Sequence, residues 1–237
     1  MLKTLISSLA LAVTLSATSA DAEENLVVVE LFTSQGCSSC PPADALLHQL
    51  AQRDGVLPLA MHVDYWDYIG WKDLFADPSH TKRQKAYAHV AGRNMIYTPQ
   101  MVIGGVDDVV GADAMKVLDL IDKHRAQAET VGIRIDRRES GAGVTLTALK
   151  PMAPEIVIQL VRYAPRREVS ITRGELAGHT MTYGNIVEDL DIIEIWDGQG
   201  TLEFDVDLPA ETSESLSAAI LVQRTGYGQI LAAAKLD

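Results

Sequence analysis

The chain has 237 residues, 47% of them hydrophobic and 22% charged, a balance that excludes a disordered or low-complexity protein. Its formal net charge of -12 argues against a surface built for nucleic acid or for an anionic membrane, because both need clustered Lys and Arg. The local basic runs, Lys82-Arg83-Gln84-Lys85 and residues 162–167, read as solvated faces.

At the start of the chain a single Lys3 precedes an apolar run over residues 5–15, and small residues follow up to Ala20-Asp21-Ala22. That pattern predicts a secretory signal peptide over residues 1–22, since the run is too short for a membrane-spanning helix. The mature protein is therefore expected to be exported, periplasmic or secreted, with no membrane association once the signal is removed. An oxidising compartment lets a dithiol persist as a disulfide.

Residues 26–32 are apolar apart from Glu30, which predicts a strand buried on both faces of a parallel or mixed sheet. The strand runs into Phe32-Thr33-Ser34-Gln35-Gly36-Cys37-Ser38-Ser39-Cys40-Pro41-Pro42-Ala43-Asp44, which holds the only two cysteines of the chain. Leu46, Leu47 and Leu50 then recur at helical spacing, Gly55 closes the helix, and residues 56–63 read as a second strand. A Cys-x-x-Cys placed between strand and helix meets the unpaired N–H groups and positive dipole that favour a thiolate. Pro41 and Pro42 fit only the first helical turn, so the regular helix is predicted to begin near Ser39 or Cys40, beyond Cys37. The bland alternative for the pair is a small structural disulfide, whose short loop stabilises little of the chain.

Residues 64–94 read as an insertion: the aromatic cluster Tyr65-Trp66-Asp67-Tyr68-Ile69-Gly70-Trp71, then a polar helix over 79–90. Two apolar runs joined by Gly104-Gly105 predict an antiparallel hairpin, and residues 112–126 an amphipathic helix with Ala114, Val117, Leu118 and Ile121 on one side. Beyond residue 130 the pattern changes to alternation of period two with turn signals. Strand-like runs fall at 131–135, 144–148, 156–161, 169–171, 192–196, 202–208, 218–223 and 230–236. The expectation is an α/β domain over 23–130 followed by an all-β, sandwich-like domain over 131–237.

The element order, the Cys-x-x-Cys at the first strand-to-helix junction and the Thr98-Pro99 that opens the hairpin resemble the thioredoxin fold over residues 25–128. More closely, residues 30–44, the aromatic insertion and Tyr97-Thr98-Pro99-Gln100 are similar to an uncharacterised family of secreted bacterial thioredoxin-like proteins. The resemblance implies thiol-disulfide exchange on a protein or small-molecule disulfide, with a further redox partner and no cofactor. Cys37 would be the exposed attacking thiolate and Cys40 the resolving one. Thr98 and a cis Pro99 would face the pair and shape the substrate surface, and Trp66 would lie on its apolar rim or pack the insertion. Glu30 matches the buried acid that relays a proton in thioredoxins, although one extra residue separates it from the first cysteine; otherwise it reaches a basic or backbone partner. Two other classes stay open. One is a non-catalytic interaction or assembly module with a structural disulfide; the other is copper or zinc held by Cys37, Cys40 and His62, at a spacing unlike that of related copper-delivery proteins.

Overall fold

The computed structural model describes residues 25–153, 155–208 and 216–236, so the expected signal peptide lies outside the described residues. No described helix is long and apolar enough to cross a membrane.

Strand β1 (Val27–Thr33) is buried along its whole length. Successive side chains of a strand point to opposite faces, and each face of β1 has its own cover. Val28 and Phe32 pack with Tyr87, whereas Val29 and Leu31 pack with Ala43 and Leu47. β1 runs parallel to β2 (Val56–His62), in a register that ends on Thr33 opposite His62. On its other side β1 runs antiparallel to β3 (Gln100–Ile103). Gly104 and Gly105 both take positive φ, which lets β3 fold back into β4 (Asp107–Val110).

Helix α1 (Pro41–Leu50) links β1 to β2 and covers one face together with α3 (Ala114–Arg125). Val117 and Ile121 enter that core, but Ala114, expected beside them, is exposed at the helix start, where Asp113 caps the N–H of Lys116. Helix α2 (Pro78–Val90) lies on the opposite face, started by Pro78 and by Asp77, which accepts from the Ser79 N–H.

The remaining strands serve two sheets. β5 (Val131–Arg138), β6 (Gly141–Ala148) and β9 (Thr201–Asp207) form a three-stranded antiparallel sheet. β7 (Ile156–Ser170), β8 (Thr180–Trp196), β10 (Ser217–Arg224) and β11 (Ile230–Lys235) extend the first sheet to eight strands, in the order β11-β10-β7-β8-β2-β1-β3-β4. β8 joins β2 in parallel at Ile186 opposite Ala60, so this mixed sheet runs straight across residue 130, where the sequence suggested a boundary. The small sheet lies on the outer strands: Ile133, Val144 and Leu146 share a core with Ile156, Ile158 and Ile220. The runs read separately at 156–161 and 169–171 are one strand, β7, and the run at 192–196 is only the end of the 17-residue β8.

Candidate functional site

β1 ends at Thr33, and a tight turn carries the chain to the cysteines, with the Cys37 N–H donating to the Ser34 carbonyl at 3.1 Å. Cys37 and Cys40 are joined in a disulfide with their Cα atoms 5.4 Å apart. Cys40 is the N-cap residue of α1, and Pro41 and Pro42 occupy its first positions, so the regular helix begins just after the pair. Cys37 lies in the preceding turn.

Cys37 was expected to be exposed, and it is not: both cysteines have 0% exposure, although Ser38 and Ser39 between them face solvent. The aromatic insertion packs against the turn at Gln35 and Gly36. A Cβ placed on Gly36 would lie 3.0 Å from Trp66 Cβ and 3.2 Å from Ile69 Cδ1, so only glycine admits this approach. Trp71 Nε1 donates to Gln35 Oε1 at 2.8 Å, and Trp66 Nε1 donates to Thr98 Oγ1 at 2.8 Å. Trp66 is thus a bridge between the cysteine turn and Thr98. The Thr98–Pro99 peptide is cis. The Pro99 carbonyl accepts from the Gly111 N–H at 3.0 Å, and a Cβ on Gly111 would lie 3.3 Å from Pro99 Cβ and 3.1 Å from Ala43 Cβ. Pro99 and the first turn of α1 therefore flank one glycine. Cys37, Cys40, Trp66, Thr98 and Pro99 come together in one place.

Glu30 does not join them. It lies on the α2 face, where Arg83 Nε donates to Oε1 and the Tyr87 hydroxyl to Oε2, each at 2.6 Å. The Arg83 guanidinium also donates to Tyr87 and to Gln223 Oε1, and Gln223 Nε2 donates to the Tyr87 hydroxyl. Burial works against the Arg83 charge, but Glu30, together with Tyr87 and Tyr227, more than offsets it and raises the guanidinium's pKa. The same burial pushes the Tyr87 hydroxyl well above its ordinary range. Of the basic run read as a solvated face, Arg83 is turned inward to meet this acid. Both oxygens of Glu30 are engaged in a basic cluster, the second of its two readings.

On the other face, next to the cysteine turn, stand residues that the sequence did not bring forward. Asp44 lies four residues beyond Cys40, on the same side of the helix, and accepts from Thr33 Oγ1 at 2.8 Å. Burial pushes its carboxyl up to about 7, with His62 and Thr33 pulling part of the way back. His62, opposite Thr33 in β2, bonds through Nδ1 to Asp73 Oδ2 at 2.8 Å, with both side chains at 0% exposure. Burial would raise the Asp73 carboxyl, but His62 and the N–H groups of Gln35 and Phe75 hold it below the usual range. Tyr183 of β8 places its ring 5.0 Å from His62. Burial, then Asp44 and Asp73, push its hydroxyl upward. The Tyr183 hydroxyl, His62 Nε2 and Gln35 Nε2 are buried with no hydrogen-bond partner among the described residues. Asp44 had a legible signal, the i, i+4 spacing from Cys40; Asp73 and Tyr183 had none.

In this arrangement the two cysteines bind each other and His62 binds Asp73, away from the copper or zinc set considered above. Among the described residues no group of three His, Cys, Asp or Glu is placed to hold a metal ion.

Residues 28–223 match the family described as Protein of unknown function (DUF1223). The chain belongs to that family. Its matched region covers the three-stranded sheet, the large sheet up to Gln223 of β10, and every residue named at and beside the cysteine turn. A crystal structure of a protein from Agrobacterium tumefaciens is 32% identical, with the similarity covering 91% of this chain and 96% of that one at a TM-score of 0.75. No curated protein matches the DUF1223 chain.

Proposed function

We propose that Cys37 and Cys40 form a thiol-disulfide exchange centre in a thioredoxin-like unit spanning residues 25–128 of an exported protein, with the small sheet as a sandwich-like layer on its extended edge. One observation carries this reading: the disulfide at the β1-to-α1 junction is tied through Trp66 to the cis Thr98–Pro99 segment.

In the reduced protein the Cys37 thiolate attacks one sulfur of a substrate disulfide. That bond breaks, one substrate thiolate leaves and takes up a proton, and Cys37 holds the other half as a mixed disulfide. The Cys40 thiolate then attacks the Cys37 sulfur, restores the Cys37–Cys40 bond and releases the second substrate thiol. Two electrons pass to the substrate, and a separate thiol donor returns them. The proton that Cys40 gives up needs an acceptor. Asp44 suits this role, one turn along α1 with a carboxyl poised at about 7, whereas both oxygens of Glu30 are already taken. Since both sulfurs are buried, the turn has to open before attack, and on this reading Trp66 leaves Gly36 and Thr98 as it does so. The hydrogen bond it gives up is worth about 1 kcal/mol, beyond the packing lost.

A structural clip is the second reading, favoured by the 0% exposure of both sulfurs. The measurements that separate the two are the reduction potential and the alkylation rates of the reduced protein at mildly acidic pH. For an exchange centre, Cys37 labels much faster than Cys40, Cys37→Ser abolishes reduction of a model protein disulfide, and Trp66→Ala speeds reduction by dithiothreitol several-fold. A potential below about -300 mV, with slow and equal labelling of both thiols, assigns the clip instead.

A further inference from the structure

The second half of β8 is a strand with one partner. From Asp189 to Trp196 it pairs with β7 on one side, while β2 reaches β8 only at Ile186. Past that point no strand lies along its other edge among the described residues, so alternate residues there turn their N–H and carbonyl groups away from any ladder.

The two faces of this edge differ in chemistry. The register with β7 sets Leu190, Ile192 and Ile195 opposite Val161, Gln159 and Val157, and sets Asp189, Asp191 and Glu194 opposite Arg162, Leu160 and Ile158. Cross-strand neighbours share a face. The apolar set therefore lies on the α2 face with Val161, and the acids lie on the face that carries Ile158 and Leu160 into the core of the small sheet. Ile192 and Ile195 are 60% and 67% exposed. Asp189 and Asp191 share one guanidinium, that of Arg162, at 3.2 and 3.6 Å, and Glu194 has no ion pair among the described residues. Three carboxylates against one cation leave that face negative.

Such an edge is guarded against its own kind. A second copy laid antiparallel to it, or any acidic strand, sets carboxylate against carboxylate, and like charges directly opposite destabilise a strand pair. The isoleucines stay open, and a basic strand meets no such barrier.

We propose that the β8 edge from Asp189 to Trp196 takes an extended segment of a partner protein in which apolar and basic residues alternate, laid on as an added strand. Strand addition supplies backbone hydrogen bonds for affinity, and alternate side chains give specificity. The segment's apolar side chains cover Ile192 and Ile195 on one face, and its Lys or Arg side chains meet Asp191 and Glu194 on the other. Lys82, which shares a groove with Leu190 and Ile192, keeps further cations off the apolar face.

The test is fluorescence anisotropy of a labelled decapeptide of alternating Val and Lys, titrated with the full chain in its oxidised form and as the Cys37→Ser/Cys40→Ser variant. Saturable binding by both forms is expected, weakened about tenfold or more by Asp191→Asn/Glu194→Gln and, separately, by Ile192→Ser/Ile195→Ser. All four of these side chains are exposed, and circular dichroism checks that each variant folds. Two further peptides need no variant. A block of five Val followed by five Lys keeps the charge without the alternation, and a Pro in place of a central Val removes a backbone donor; each should bind about tenfold more weakly or worse. Equal binding of the alternating and block peptides reads out charge attraction alone and overturns the proposal, as does the absence of saturable binding. Self-association of the chain that Ile192→Ser/Ile195→Ser abolishes overturns it in favour of a second copy. Because binding is read without the cysteines, its failure leaves the exchange reading untouched.

Discussion

Glu30 and Asp44 are two buried carboxylates on opposite faces of the same sheet, and their surroundings differ in one respect, the number of donors. Glu30 receives a guanidinium and a phenol at 2.6 Å on its two oxygens. Asp44 receives one hydroxyl, with Asp73 adding repulsion and His62 only partly offsetting the burial. The first is an ion pair that ties β1, α2 and β10 together; the second is a carboxyl that changes protonation near neutral pH. Burial alone does not give an acid its role, since partners decide whether the charge is retained.

The largest effect expected from this contrast is on the Glu30 side. Arg83→Met leaves Glu30 buried without a cation and should lower the unfolding free energy by about 3–5 kcal/mol in a urea titration at pH 7. A loss below about 1 kcal/mol would show that the pair is not what holds this face. Next comes Asp44. Its carboxyl is raised from 3.8 to about 7 in the folded chain, so the folded state holds a proton that the unfolded state releases. Stability from this group is full below about pH 4 and declines as the pH rises to about 7, by up to about 4 kcal/mol. Asp44→Asn removes the dependence. The variant should therefore gain on the parent between pH 4 and pH 8 by a similar amount, and a difference that stays flat with pH would break the contrast. The smallest change is Tyr183→Phe. It deletes a buried hydroxyl without a partner and should raise the thermal midpoint slightly, by the equivalent of about 1 kcal/mol; a fall would mean that the hydroxyl is satisfied after all.

Much of the first half was legible because its signals are local. The apolar run of β1, the helical spacing of Leu46, Leu47 and Leu50, and the Gly104-Gly105 turn each appear where the pattern placed them. The first half of β8 escaped notice because Thr180 to Asn185 reads as polar, yet Tyr183 is buried there and Asn185 donates to the Pro58 carbonyl at 2.8 Å. The cover on Cys37 escaped for another reason. An aromatic cluster fits a substrate rim and a packed insertion equally well, and only the approach of Trp66 to Gly36 shows it packed against the turn.

By itself the sequence settled where the helix could begin and which two sulfurs could pair, because proline geometry and a two-residue spacing act between neighbours. Tertiary structure decided which acid lies beside the cysteine turn and which is paired with a cation. Arg83 meets Glu30 across 53 positions and Gln223 across 140, and contacts between residues so far apart leave no trace in any local pattern. They exist only once β10 lies in the same sheet as β1, with α2 packed across it.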